Sequence, residues 1–164
     1  MPSNDRQNGQ TAVDGLLDDV NRRLLGELQG DARLSLAELG RRIGLSPPAI
    51  GERLARLEAD GVIAAYRADV DPRALGYALS VVIRVRPAPR QLHKVAELAR
   101  DMPEVVECHR ITGEDCFFMK AHVRSVEHLE ELIDRLALFG QTTTSIVQSS
   151  PVPPRGLAIE PPGA

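Results

Sequence analysis

Ten residues, Glu107 to Cys116 (ECHRITGEDC), gather two cysteines, a histidine, an arginine and three carboxylates. Such a set offers four kinds of chemistry: metal ligation, a thiol redox pair, catalysis, or a turn that holds a ligand without changing it. Zinc wants three or four ligands converging tetrahedrally, commonly as paired CxxC or HxxxH spacings. A redox pair wants suitable cysteine separation and an electropositive surrounding that lowers a thiol pKa. Catalysis needs a nucleophile or an acid–base pair oriented by a third group. The backbone carrying these side chains decides among them.

Around the stretch the apolar pattern has period two. Leu79, Val81, Ile83 and Val85 alternate with Ala78, Ser80, Val82 and Arg84, a strand stopped by Pro87 and Pro89. Leu92, Val95, Ala96, Leu98 and Ala99 then fall at helical spacing, up to Met102-Pro103. Residues 105–111 and 116–123 are predicted as two strands joined by a hairpin loop, Thr112-Gly113-Glu114-Asp115. Ser125 caps a further helix bearing Val126, Leu129, Leu132, Ile133, Leu136 and Ala137, and 142–148 is a last strand. The order βαββαβ is the ferredoxin-like arrangement.

On that hairpin the chemical options narrow. Cys108 and His109 are strand neighbours, so they point to opposite faces. A third and a fourth metal ligand are missing, and the carboxylates oppose a thiolate. No GxSxG or comparable motif occurs. The expectation is no catalytic residue, no metal and no cofactor. The acids of the loop suit an ammonium group and its backbone amides suit a carboxylate, together the outline of a free amino acid. An ordinary solvated turn remains the alternative.

Before residue 66 the period is that of a helix. Val13, Leu16, Leu17, Val20, Leu24, Leu25 and Leu28 form one apolar stripe ending near Gly30. Ser35 and Glu38 make a capping box for a second, short helix with Leu36, Leu39 and Ile43 inward. Gly44-Leu45-Ser46 breaks it. Ser46 is expected to cap a third helix with Pro47 in its first turn, Ile50, Leu54 and Leu57 inward, and Gly61 after its end. Residues 62–66 follow as a short extended run. Two helices flanking a tight Gly-containing turn make a helix-turn-helix.

The chain has 164 residues and a net charge of −3. That balance excludes a protein that coats nucleic acid by bulk charge. Eighteen arginines stand against two lysines, a bias that suits planar recognition of phosphate but that base composition alone also produces. No run of about 18 apolar residues occurs and the first residues, MPSNDRQNGQTAVDG, hold no apolar segment, so the expectation is a cytoplasmic protein without a secretory signal whose two cysteines are free thiols. The expected organisation is a disordered tail (1–12), a helix-turn-helix domain (13–66), a linker (67–77), a ferredoxin-like domain (78–148) and a Pro-rich tail (149–164).

An ordered set of short stretches runs from Leu16 to Gln148. It includes Asp31-Ala32-Arg33-Leu34-Ser35, Gly44-Leu45-Ser46, Arg53-Leu54-Ala55-Arg56-Leu57-Glu58, Gly61-Val62-Ile63, Asp71-Pro72-Arg73-Ala74-Leu75-Gly76, Pro103-Glu104-Val105, Glu107-Cys108 and Thr112-Gly113. In this order and spacing they resemble the Lrp/AsnC (feast/famine) transcription regulators. The resemblance implies an α+β chain: an N-terminal, winged-helix-like helix-turn-helix that binds double-stranded DNA, and a C-terminal ferredoxin-like βαββαβ domain. It further implies homodimers assembling to octamers, with a small effector, typically an amino acid, held where C-terminal domains meet. On this chain the effector positions are Thr112, Gly113, Glu114 and Asp115, with Thr142, Thr143 and Thr144 as a second lining. Many relatives carry an acid where Cys116 stands, so the ammonium contact is expected to be made differently here.

The third helix of such a motif enters the major groove. Ser46, Pro47, Pro48, Ala49 and Glu52 are then the base-facing candidates, and Arg53 is a candidate for a guanine edge or a phosphate. Arg41, Arg42 and Arg56 are the phosphate candidates. Up to residue 70 there are nine arginines and eleven acids, so affinity must come from local placement. Two rivals share the fold: a siroheme-decarboxylase-like enzyme, disfavoured by only four histidines, and a ligand-binding or assembly module that no longer touches DNA.

Overall fold

The computed structural model describes residues 16–159. The tail expected over 1–12 and the helix start expected at Val13 lie outside the described residues. Two compact units form: 16–68 together with 154–159, and 69–153.

The first unit is built from α1 (Asp19–Gly30), α2 (Leu36–Ile43) and α3 (Pro47–Ala59). The apolar stripe from Leu16 does not run through as one helix. Asp18 is extended, at φ −64° and ψ 166°, and its carboxylate accepts the Asn21 N–H at 2.7 Å. An aspartate that bonds its own downstream backbone favours a cap over a helix interior. Leu24, Leu39, Ile43, Ile50 and Leu57 close the core. Residues 62–66, expected as an extended run, form no strand: Val62 and Ile63 lie in a bend, and the Ile63 N–H donates to the Leu57 carbonyl at 3.0 Å.

Two expected caps behave differently from their sequence signals. The Ser35 hydroxyl accepts the Glu38 N–H at 3.2 Å, but Glu38 does not return the bond. Its carboxylate turns to Arg41 and Arg42, at 2.6 and 2.7 Å, and Arg42 also reaches Glu27 of α1 at 2.7 Å. Charge-assisted bonds win over a neutral amide. Ser46 occupies the cap position of α3 but makes no side-chain cap bond. Pro48 lacks the nearer of the two N–H groups a capping hydroxyl can take, and Ser46 leaves the other, that of Ala49, untaken.

The turn between α2 and α3 depends on close backbone approach. Gly44 is left-handed at φ 89°, and the N–H groups of Gly44 and Leu45 both donate to the Gly40 carbonyl, at 2.8 and 3.0 Å. A Cβ at Gly40 would lie 2.5 Å from the Leu45 carbonyl oxygen. Only glycine lets the helices come this near.

The second unit starts with a 3-10 turn, Pro72–Leu75, inside the stretch expected as linker. Then follow β1 (Leu79–Pro87), α4 (Leu92–Asp101), β2 (Val105–Arg110), β3 (Phe117–Val123), α5 (Val126–Ala137) and β4 (Gly140–Ile146). The antiparallel sheet has the order β2-β3-β1-β4. Val81, Ile83 and Val85 of β1 and Phe117, Met119, Ala121 and Val123 of β3 bury one sheet face against Val95, Ala99, Leu129, Leu132 and Leu136 of the helices. The other face carries Arg84 and Arg86 exposed and Val82, Phe118, Lys120 and His122 half-buried. His128 ties the start of α5 to the chain before β2. Its Nδ1 accepts the Arg124 N–H at 3.2 Å, so Nε2 carries the proton and donates to Glu104 at 3.0 Å.

The tail beyond β4, expected to be loose, forms no helix or strand in its described part. Its described residues 154–159 are part of the first unit, where Arg22 of α1 donates to the Ile159 carbonyl at 3.3 Å.

Two outcomes are expected. Gly40→Ala lowers stability by about 2 kcal/mol through the forced shift at Leu45. Gly26→Ala, where an added Cβ meets nothing within 4 Å, raises it by about 0.5–1 kcal/mol. Urea titrations followed by far-UV circular dichroism measure both. The Arg41 and Arg42 guanidinia beside Glu38 hold its carboxyl at about 2, below the ordinary 4.5. A depressed carboxyl contributes stability above its unfolded pKa and loses it as pH falls through its folded one. Thermal midpoints should therefore decline between about pH 4.5 and 2, shallowly because these pairs are exposed. Glu38→Gln should flatten that decline.

Candidate DNA-binding surface and effector loop

One side of α3 is sealed and the other is open. Ile50 and Leu57 are both 0% exposed. Ser46, Pro47, Pro48, Glu52 and Arg56 are exposed, and Ala49 and Arg53 are half-buried beside them. At 100° per residue, Ala49, Arg53 and Arg56 form one stripe next to the buried one. The structure thus brings most of the sequence-predicted α3 positions onto one accessible face. Ala49, Glu52, Arg53 and Arg56 line, with Asp18 and Asn21, a depression of about 380 Å³ within the unit. Pro47 and Pro48 remove two amide donors from the helix start, so an anion there meets side chains rather than backbone.

The candidate arginines differ in how they are held. Arg41 and Arg42 are engaged by Glu38, and Arg42 by Glu27 as well. Arg53 donates from Nη1 to Asp18 Oδ2 at 2.7 Å and to Asn21 Oδ1 at 3.0 Å. Its guanidinium holds the Asp18 carboxyl below the usual carboxylate range, helped by the Asn21 amide. Among the described residues Arg56 forms no ion pair, which leaves its guanidinium available. Asp18 and Asn21 escaped the sequence analysis because the contact joins residues 35 and 32 positions apart. The signal present was the aspartate interrupting an apolar stripe.

In the second unit, Ile111 N–H donates to the Cys116 carbonyl at 3.0 Å and closes the hairpin around 112–115. Gly113, at φ 110°, makes the turn. The loop acids are not free. Asp115 lies 3.6 Å from Arg84, and Glu114 is hydrogen-bonded to Arg86, both arginines standing on β1. Arg84 and Arg86 were not singled out from the sequence. Their alternation with the buried Val81, Ile83 and Val85 was the available sign that they share the open sheet face.

The three threonines expected as one lining separate. Thr142 is paired with Val85 and Thr144 with Ile83, so both turn toward the helices, and the Thr144 hydroxyl is buried without a partner. Thr143, opposite Arg84, is exposed on the open face. Successive strand residues cannot share a face. The two cysteines are free, and burial pushes the Cys108 thiol up, away from reactivity. Among the described residues no three His, Cys, Asp or Glu side chains gather as a metal site, and no helix is long and apolar enough to cross a membrane.

Comparison with known proteins places these two units. Residues 17–58 match the AsnC-type helix-turn-helix domain and 80–157 the Lrp/AsnC ligand binding domain. The chain is 33% identical over 133 residues to the HTH-type transcriptional regulator LrpC of Bacillus subtilis, covering 81% of this chain and 92% of that protein. It is 34% identical over 125 residues to the leucine-responsive regulatory protein of Escherichia coli, covering 74% and 76%. A solved structure of the feast or famine regulatory protein from M. tuberculosis, complexed with L-methionine, superposes with a TM-score of 0.81 at 32% identity, covering 87% of this chain and 99% of that one. The chain belongs to the Lrp/AsnC family of helix-turn-helix transcriptional regulators.

Proposed function

We propose that this regulator binds double-stranded DNA by laying the open face of α3 in the major groove, and that an amino acid bound at the hairpin loop tunes that binding. The observation carrying the DNA part is the two-sidedness of α3: Ile50 and Leu57 are sealed while the Ala49, Glu52, Arg53 and Arg56 side is reachable. Ser46, Pro47, Pro48, Ala49 and Glu52 meet base edges. Arg53 reads a guanine, and Arg56 contacts a phosphate. Arg41 and Arg42 rank lower than the sequence suggests, because a phosphate must displace Glu38 and Glu27 to reach them.

The effector is a zwitterion. Asp115 and Glu114 face Arg84 and Arg86 across the sheet edge, two acids against two guanidinia. An α-amino acid fits that alternation, its ammonium on the acids and its carboxylate on the arginines. Thr112, Gly113 and Thr143 flank the position. Methionine complexes of the M. tuberculosis and Neisseria meningitidis relatives support an amino acid as the class of ligand. Assembly to homodimers, and from them to octamers, would cover the half-buried Val82 and Phe118 of the open sheet face. The protein acts in the cytoplasm as a regulator rather than an enzyme, in keeping with relatives named as transcriptional regulators.

Two measurements test these assignments. Arg56→Ala should weaken binding to all duplexes alike and lower the salt slope of log K by about one. An unchanged slope removes the phosphate role. In a thermal-shift screen of the twenty amino acids, a saturating effector should raise the Tm by at least about 5 °C. Asp115→Ala should abolish the shift, and a shift that survives it moves the ligand elsewhere.

A further inference from the structure

We infer that Asp18 and Asn21 are positioning residues that set the guanidinium of Arg53 for one mode of base recognition. The inference rests on the DNA-reading role proposed for Arg53 and extends it to side chains outside the helix-turn-helix pair.

The geometry is specific about which donors remain. Nη1 of Arg53 has two hydrogens and two acceptors, Asp18 Oδ2 at 2.7 Å and Asn21 Oδ1 at 3.0 Å. Both acceptors are themselves fixed. Asp18 spends Oδ1 on the Asn21 N–H at 2.7 Å, as the cap of α1. Asn21 is only 6% exposed, and its Nδ2 donates to the Leu16 carbonyl at 2.6 Å, which settles the orientation of the amide. A flexible surface arginine swings through many rotamers, and ordering it on DNA costs entropy. Here one corner of the guanidinium is anchored to a different helix before any ligand arrives.

Anchoring Nη1 excludes the end-on approach, in which Nη1 and Nη2 both face the partner. What stays open among the described residues is the side-on edge, Nε–H with the adjacent Nη2–H. These two parallel donors match the O6 and N7 acceptors of guanine. Asp18 therefore does two things at once: it starts α1 and it selects the edge of Arg53 that faces the groove. A simple competitor for the cation would need only a charge near Nη1. It would not need the buried amide of Asn21 aligned on the same nitrogen.

The test uses the full chain, a duplex that the wild-type protein enriches from a random pool, and a shuffled duplex of equal composition. Asp18→Asn is the informative variant. Asparagine caps helices as well as aspartate does, so α1 keeps its start, while an NH₂ group replaces Oδ2 and confronts Nη1 donor against donor. The ratio of affinities for the two duplexes should fall about tenfold, as it should for Arg53→Ala. The double variant should be no worse than Arg53→Ala alone. Far-UV circular dichroism should show α1 intact, Tm should fall by no more than a few degrees for the loss of one exposed ion pair, and the salt slope on the shuffled duplex should stay at its wild-type value, a pattern that a merely structural role would not give. If Arg53→Ala loses discrimination and Asp18→Asn does not, the positioning role is overturned and the Arg53 reading survives. If Asp18→Asn tightens binding to both duplexes and steepens the salt slope, Asp18 is a competitor and the inference fails. If Arg53→Ala itself leaves the ratio unchanged, the base-reading role falls, and this inference with it.

Discussion

The amino-terminal unit depends on one packing constraint: a few aliphatic side chains must seal against each other where three short helices cross. Ile50 and Leu57 of α3 meet Leu24, Leu39 and Ile43 in that small core. Small domains have little apolar area to spare, so each of these contacts matters. Once they are made, the rotation of α3 about its own axis is fixed, and with it the direction of every other side chain on the helix. The close turn at Gly40 and Gly44 is what lets the contact happen. Which residues can approach DNA follows from what must avoid water.

The same logic governs the second unit in two dimensions. Alternation along β1 and β3 commits one sheet face to α4 and α5. The other face then collects the polar members of each strand. Arg84 and Arg86 stand beside the acids of the 112–115 loop because the register of β1 against β3 brings the end of one strand to the start of the other. The charges cancel locally, in keeping with a chain whose net charge of −3 conceals dense opposite charges. Recognition by such a protein has to come from where charges sit, since their sum is small.

Much of this was legible in the sequence, for identifiable reasons. Helical and strand periods are local, so the order of elements around Leu24, Ile50, Val81 and Met119 could be read directly. The opposition of Cys108 and His109 follows from strand geometry alone. What escaped reading involved competition or distance. Glu38 had two arginines within reach and abandoned its half of the capping box. Ser46 has the sequence signature of a cap, yet its hydroxyl makes no cap bond. Thr142, Thr143 and Thr144 were grouped by composition although the strand had to divide them. The clamp on Arg53 joins α1 to α3, and local patterns do not report partners so far apart.

The paired prolines at the head of α3 carry a last consequence. Pro47 and Pro48 fix their own φ angles, and proline narrows the conformations of the residue before it. This end of α3 is therefore stiff, and on the proposed reading, in which it meets a duplex, little freedom is left for it to lose. A probe that cannot bend to its target tells targets apart by rejecting poor fits. Tolerance for variant sites must then come from the suppleness of the DNA.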